Sequence, residues 1–373
     1  MRPTRSVALR ASLQVMEKDG HRCAVSTRLP SDHCSYLSQC LISGRYHSIR
    51  LDTVHYCERE DLLADTRRRI SHRDPEDPAQ SRLILLCRTL RDDTAFGLHV
   101  QFLKIPYMTR ESSKPEIART VAVCPNLRYI DLPNGFYTDD YSANPLIQEV
   151  QARCPDLRKM TYKGGSERSL AMLASGTMWR KLEVLELSNL DMDVTIIRRA
   201  LGALPQLHAM KVTNMKLFHD DIFSHSDYLP PFPALTELVL DDVANITTEG
   251  ISDYLFRSDV QESLKTLSFT ETGVLPSSLY QILATAPKLQ HLSIVEAVSS
   301  AFPGYGGIPG LQSNTLETFH FEITSKSSGN KYHSTTESYY NYLRSSLMSG
   351  GLPNLKELYV IGRPTTETSS RRC

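Results

Sequence analysis

The chain has 373 residues, 40% of them hydrophobic, and its 42 basic residues are balanced by 42 acidic ones. A formal net charge of zero gives no overall positive field that would favour nucleic acid or an anionic membrane as a partner. No apolar run approaches the ~20 residues of a membrane-spanning helix, and the first residues lack the apolar core of a secretory signal. We therefore expect a cytoplasmic or nuclear protein.

Residues 1–80 contain no internal repeat and end in the charged, proline-containing stretch RDPEDPAQ at 73–80. The segment is rich in cysteine and histidine, but it has no C-x-x-C pair and no spacing typical of a zinc site. We predict an irregular or helical N-terminal segment without a bound metal.

From residue 81 to residue 361, the apolar pattern Leu-x-x-Leu-x-Leu recurs at intervals of 25–30 residues, apart from a last interval of 39. Clear copies are LEVLEL at 182–187, LTELVL at 235–240 and LQHLSI at 289–294. A period of this length indicates leucine-rich repeats. About ten copies are present, and they begin at Val100, Leu127, Leu157, Leu182, Leu207, Leu235, Leu264, Leu289, Leu316 and Leu355.

The stretches between these strands have helical spacing. Asp193 is placed to cap a helix over 194–204, whose apolar stripe consists of Ile196, Ile197, Ala200, Leu201 and Leu204. Prolines at 125, 155, 205 and 287 end several such helices before the next strand. The pattern predicts an α/β solenoid, or horseshoe, with parallel strands on the concave face, helices on the convex face and a polar, disordered tail over 362–373.

Alternate residues of a strand point to opposite faces, so the strand positions between the core leucines form a second, exposed surface. This predicted surface mixes charged, aromatic and hydroxyl side chains, which suits a protein segment better than a phosphate backbone. Tyr129 and Tyr359 are the best candidate anchors. Solvated strand residues without a partner are the alternative. The candidate protein-binding residues are Tyr129, Asp131, Lys159, Glu186, Lys211, Glu237, His291, His320 and Tyr359.

Two insertions interrupt the repeats. The segment 216–232 carries the aromatic residues Phe218, Phe223, Tyr228 and Phe232, which form either a binding lip or a local core under the loop. The polar segment 324–338 supplies the extra length of the last interval, and we expect it to be mobile.

No sequence motif for catalysis is found. The chain lacks H-E-x-x-H, G-x-S-x-G and a P-loop, and the glycines of GYGGIPG at 304–310 do not fit a dinucleotide fingerprint. Cys124 and Cys154 occupy the same repeat position before a proline, and we expect them to be reduced core residues. We predict no catalytic residue, cofactor or metal, and no asparagine ladder at the third position after the last strand leucine.

Several phrases resemble the leucine-rich region of fungal-type F-box proteins, among them CPNLRYIDLPNGF at 124–136, CPDLRKMTY at 154–162 and LEVLELSNLDM at 182–192. The resemblance implies that the repeats hold a target protein, while an N-terminal F-box binds the Skp adaptor of a cullin-type (SCF) ubiquitin ligase. A remnant of that module is placed at 29–52, although its front helix is missing or altered. The implied adaptor contacts are Leu37, Leu41, Ile42 and Ile49.

These observations predict a non-enzymatic substrate receptor that acts by proximity. One alternative is a general interaction scaffold without a ligase role. Another is a GTPase-activating repeat protein, which would need an exposed Arg or Asn on a repeat rim, and no such residue stands out in the sequence.

Overall fold

The computed structural model describes residues 47–50, 78–105, 114–132, 137–304, 307–326 and 331–360, and the chain divides into two compact units, Met1–Met160 and Thr161–Cys373. In each unit the neighbouring strands are parallel and follow the chain order, with helices between them. The predicted α/β repeat architecture is thereby confirmed. The strands are β1 Ser48–Arg50, β2 Phe102–Lys104, β3 Tyr129–Asp131, β4 Lys159–Lys163, β5 Val184–Ser188, β6 Ala209–Thr213, β7 Glu237–Thr247, β8 Thr266–Gly273, β9 His291–Val298, β10 Thr318–Ser325 and β11 Glu357–Val360.

The connections between strands contain α-helices and short 3-10 turns. The α-helices are α1 Pro78–Asp92, α2 Thr94–His99, α3 Lys114–Ala122, α4 Asn144–Arg153, α5 Glu167–Ala171, α6 Val194–Gly202, α7 Thr248–Leu255, α8 Ser258–Ser263, α9 Leu279–Thr285 and α10 Lys331–Met348. None of them is both long and apolar enough to cross a membrane, within the ranges that the structure describes.

The first unit contains a strand that the repeat pattern does not predict. In β1, Ile49 is fully buried and pairs in register with Leu103 of β2. Ile49, one of the implied adaptor contacts, therefore lies in a strand of the sheet with its side chain buried. A three-residue strand offers one inward side chain, which is too little for a periodic signal. The sheet thus includes part of the segment 1–80, which we expected to be separate from the repeats.

The second unit has a continuous apolar interior, because the strand leucines and their equivalents meet in register. The middle core position of each repeat pairs with its counterpart on the next strand, and these residues are buried from β5 through β10. The pairing begins at Leu185 and continues through Met210, Leu238, Leu267, Leu292 and Phe319. Burying one such side chain contributes about 1.5–3 kcal/mol, so stacking of the repeats stabilises the unit.

Strand β11 differs from the strands before it. Leu358 and Val360 pair with the fully buried Phe319 and Phe321, yet they are 38% and 45% exposed. The apolar positions of this last described strand are therefore covered by neighbours on one side only.

Helix α6 begins where the sequence predicts, directly after Asp193. The Asp193 carboxylate accepts a hydrogen bond from the Thr195 amide at 2.7 Å, which satisfies a free donor of the first turn of α6. Thr247 caps α7 in the same way. Within α6, Ile197 is buried while Ile196 is 38% exposed, so the apolar stripe is narrower than predicted.

Residues in the left-handed conformation recur at equivalent positions along β5 to β8, just after β5 and β6 and within the longer β7 and β8. Asn189, Asn214, Asp242 and Glu271 have φ of 56°, 48°, 54° and 49°, and each stands two residues after a buried core residue, Leu187, Val212, Leu240 or Phe269. Asparagine and aspartate tolerate this conformation better than most residues. The Asn214 side-chain amide donates to Asn189 Oδ1 at 2.5 Å. A short asparagine pair therefore does exist, one position earlier than the site where we expected none.

The insertion 216–232 is anchored on a core of its own. Phe218, Phe223 and Phe232 are buried, so they do not form an exposed lip. Phe223 and Phe232 lie 5.1 Å and 5.4 Å from the ring of Tyr254, between ring centroids. The local-core alternative is correct for these three residues, since phenylalanine gains more from burial than from a solvated loop. Tyr228 alone of the four aromatic residues is exposed, at 93%.

The buried Arg198 of α6 also holds this insertion. Its guanidinium donates to the Pro230 carbonyl from Nε at 3.1 Å and from Nη2 at 2.9 Å, and to the Ser224 carbonyl from Nη1 at 2.7 Å. Burial lowers the pKa of Arg198 from its ordinary value. The three hydrogen bonds compensate for taking the cation out of water and fix the path of the loop.

Two further expectations concern cysteines and the last insertion. Cys124 and Cys154 are buried thiols that form no disulfide, as predicted, and burial raises the pKa of each thiol to about 12. The segment 324–338, in contrast, is not simply a polar loop, because α10 begins at Lys331 and Thr335 is buried. The aromatic residues that pack this helix against the unit are Tyr339 and Tyr342, which contact Phe302 and come after residue 338.

Candidate protein-binding face

The outward side of strands β8 to β11 contains a shallow depression of about 320 Å³. It brings together three of the predicted binding residues, His291, His320 and Tyr359. Hydroxyl side chains and strand leucines form the rest of its lining, which consists of Thr266, Leu267, Ser268, Leu292, Ser293 and Thr318.

Strand register explains why these residues converge. Ser293 of β9 pairs with His320 of β10, which pairs in turn with Tyr359 of β11. Two residues earlier along the same two strands, His291 pairs with Thr318. Because directly opposite positions place their side chains on the same face about 5 Å apart, the rings and hydroxyls form two adjacent rows.

His320 lies at the centre of the polar contacts. Its Nδ1 is 3.2 Å from Ser293 Oγ, and its Nε2 is 3.3 Å from the Glu322 carboxylate. A neutral imidazole with its proton on Nε2 satisfies both contacts, since it accepts from the hydroxyl and donates to the carboxylate. The ring centroid lies 6.2 Å from that of Tyr359, with the planes at 81°. His320 is thus held in one orientation.

Tyr359 is 53% exposed, and its hydroxyl donates to the Glu357 carboxylate at 2.9 Å. This hydrogen bond, together with the carboxylate charge, raises the pKa of Tyr359 above its ordinary value. The contact fixes one end of a ring that stays half-exposed. An aromatic side chain with few rotatable bonds and an accessible face is a typical interface anchor.

The remaining predicted residues of the second unit lie on β5 to β7 and do not line the depression. Lys211 Nζ is 3.8 Å from the Asp241 carboxylate. The Glu186 carboxylate accepts a hydrogen bond from Thr161 Oγ1 at 2.8 Å. Glu237 is exposed on β7. The outward orientation predicted for these residues agrees with the alternating burial of their strands.

The first unit has a distinct aromatic cluster. The ring of Tyr129 stacks on Phe102, with centroids 4.4 Å apart and planes at 2°, and His47 lies 5.0 Å from Phe102. Asp131 forms an ion pair with Lys104 at 2.9 Å, and Lys159 pairs in register with Tyr129. Tyr129 is therefore stacked on a neighbouring ring and of intermediate exposure, whereas Tyr359 is half-exposed.

Phe102 and Lys104 also face away from the core, and neither was predicted as a binding residue. The signal was present, because the copy that begins at Val100 has Leu103 and Ile105 at its inward positions. The adaptor contacts implied by resemblance, Leu37, Leu41 and Ile42, lie outside the described residues, as does the tail 362–373.

No family model matches this chain, and no curated protein matches it. Among solved structures, it is similar to the yeast complex of Rad7 and Elc1, over 80% of this chain and 93% of the matched chain. The sequence identity is 10% and the TM-score is 0.37. A similarity at this level assigns neither a family nor a function.

Over the described ranges, no group of three or more His, Cys, Asp or Glu side chains is arranged to hold a metal ion. The nearest approach to a catalytic constellation is the row of Ser293, His320 and Glu322. Its hydroxyl and carboxylate are bound to opposite ring nitrogens of the same strand-held imidazole, but all three side chains lie on an open sheet surface that gives a reacting group no enclosure from water. Its geometry suits contact with another molecule.

Proposed function

We propose that this chain is a non-enzymatic protein-recognition module that holds a segment of a target protein on the outward face of its second unit. The observation that supports this function is the position of Tyr359, half-exposed, fixed by Glu357 and adjacent to a depression beside His320. Because neighbouring contacts already order these side chains, binding loses little conformational entropy at the site.

We further propose that this recognition serves a cullin-type ubiquitin ligase, with the chain as substrate receptor in the cytoplasm or nucleus. The support is the resemblance of the C-P-x-L-x-x-L-x-L phrases at 124–132 and 154–162 to fungal-type F-box proteins. In that role the chain brings its target close to other subunits, which carry out the chemistry. A scaffold without a ligase role shares the same binding face and differs only in lacking the adaptor.

The Tyr359→Ala variant is expected to lose the target. Removing an interface anchor costs about 2 kcal/mol or more, roughly a 30-fold loss of affinity. Full-length tagged protein and the variant would be compared by quantitative mass spectrometry of the proteins that each retains from a cell extract. Tyr141→Ala is the matched control, since Tyr141 is 91% exposed and lies in the first unit.

Thermal unfolding would first establish that both tyrosine variants are folded. We expect a defined set of proteins to be depleted by Tyr359→Ala and kept by Tyr141→Ala. Retention of the same proteins at the same level by both variants would show that this face is not the recognition surface.

The ligase role predicts a complex with the Skp adaptor. Co-expressed full-length chain and adaptor are expected to elute together from a size-exclusion column, and the Leu37→Glu/Leu41→Glu double variant is expected to lose the adaptor. Leu217→Glu is the control, because Leu217 is an exposed apolar residue of the second unit. A folded wild-type chain that does not bind the adaptor would contradict the ligase role and leave the scaffold function.

A further inference from the structure

We infer that the segment recognised at Tyr359 is basic, with an arginine or lysine side chain in contact with the depression. This inference rests on the proposed recognition function and names the chemistry of its partner. It is based on the charges of the strands that form the outward face.

Strands β5 to β11 are strongly biased in charge, although the whole chain is neutral. They contain one basic residue other than histidine, Lys211, and that side chain is in an ion pair with Asp241. Their acidic residues are Glu186, Glu237, Asp241, Asp242, Glu271, Glu296, Glu322 and Glu357. A surface with one sign of charge attracts partners of the opposite sign and repels others.

The same bias holds next to the depression. Each of its two rings at the β10 and β11 side is in contact with a carboxylate: Glu322 with His320 and Glu357 with Tyr359. Of the lysines that precede these strands, Lys356 forms an ion pair with Glu317 at 2.8 Å, and Lys265 is exposed before β8. With the histidines left aside, the three carboxylates named here, Glu317, Glu322 and Glu357, outnumber the two lysines.

A guanidinium or ammonium group meets three complementary features here. The carboxylates offer oxygen acceptors, and charge-assisted hydrogen bonds are stronger than neutral ones. The half-exposed ring of Tyr359 offers a face to a cation. The hydroxyls of Ser268, Ser293 and Thr318 offer further acceptors on the floor. An acidic segment or a phosphate backbone would instead be placed against like charges.

The test uses three fluorescein-labelled synthetic peptides that differ only at alternating positions, occupied by arginine, by citrulline or by glutamate. Citrulline keeps the shape of arginine and removes its charge. Fluorescence anisotropy with the full-length chain is expected to show that the arginine peptide binds at least ~10-fold more tightly than the citrulline peptide. Its binding should weaken as salt shortens the Debye length from ~10 Å at 0.1 M to ~3 Å at 1 M.

Charge-neutral variants locate the binding. We expect Glu322→Gln and Glu357→Gln each to weaken binding of the arginine peptide by about 3- to 10-fold, and to weaken binding of the citrulline peptide clearly less, because only the arginine peptide loses a charge pair. Glu262→Gln is the control, because Glu262 is an exposed acid on α8 that pairs with Lys288 away from the strands. Equal effects of all three substitutions would mean general attraction to a negative protein, which contradicts a site at Tyr359.

The inference is overturned if the arginine peptide shows no advantage over the citrulline peptide, or if the glutamate peptide binds more tightly. That result would leave the recognition function standing wherever Tyr359→Ala still depletes captured proteins. Conversely, unchanged capture by Tyr359→Ala would refute the recognition function itself, whatever the peptides show.

Discussion

Replacement of Phe269 by alanine is expected to lower the free energy of unfolding of the second unit by about 3–5 kcal/mol. Phe269 is fully buried in β8, in register between Leu240 and Ile294, which are also fully buried. The variant loses the transfer free energy of the buried ring. It also leaves a cavity between two repeats, because their paired backbones cannot move together to fill it. The effect is large because marginal stability is typically only about 5–15 kcal/mol.

Urea unfolding followed by the fluorescence of Trp179 would measure this loss. Trp179 is the single tryptophan of the chain, and it is buried in the second unit. Phe256→Ala is the matched control, since Phe256 is 68% exposed and its removal is expected to change stability by less than about 1 kcal/mol. Similar unfolding midpoints for the two variants would contradict a shared interior at Phe269.

Replacement of Arg198 by methionine is expected to destabilise the second unit by about 3 kcal/mol. Methionine keeps much of the aliphatic volume but leaves the partly buried carbonyls of Ser224 and Pro230 without the guanidinium donor. Hydrogen bonds to a charged group contribute about 1.5–3 kcal/mol each, and a lost partner exposes the desolvation cost of the group that remains. The segment 216–232 should therefore also detach more readily from the unit.

Arg199→Met provides a close control, because Arg199 is the next residue in α6 and is exposed. Urea unfolding would give the stability difference, and limited proteolysis would report on the loop. We expect faster cleavage within 216–232 for Arg198→Met alone. A cleavage rate and unfolding midpoint equal to those of Arg199→Met would show that the guanidinium does not hold the insertion.

The core of the fold could be predicted from the sequence because the spacing of the leucines shows which strand positions are buried. From Leu182 to Phe321 the inward residues are large and apolar and recur with the strand period, so one pattern specifies strands, register and interior. The pattern fails for β1, where Ile49 is the single inward residue. It also fails for the left-handed row, because Glu271 has a positive φ within β8, a conformation that glutamate itself does not favour.

The binding face could be predicted only in part. Strand alternation gave the outward orientation of His291, His320 and Tyr359, but not their convergence. That convergence depends on the pairing of β11 with β10. The connection between them is longer than the others and contains α10, so it has no periodic signal.

The environment of the four aromatic residues of 216–232 could not be predicted from their composition. That composition fits an exposed lip or a buried core equally well. Whether the aromatic residues are buried depends on their contacts with Tyr254 and on the hydrogen bonds of Arg198, and both of these residues come from other repeats.

In the second unit each strand pairs with the next one along the chain, so the contacts that form during folding join residues that are close in sequence. Partners such as Leu267 and Leu292 are only 25 residues apart in sequence, so loop closure carries a modest entropy penalty at every step. Folding can begin at an interior pair of repeats and spread outward in both directions, one repeat at a time.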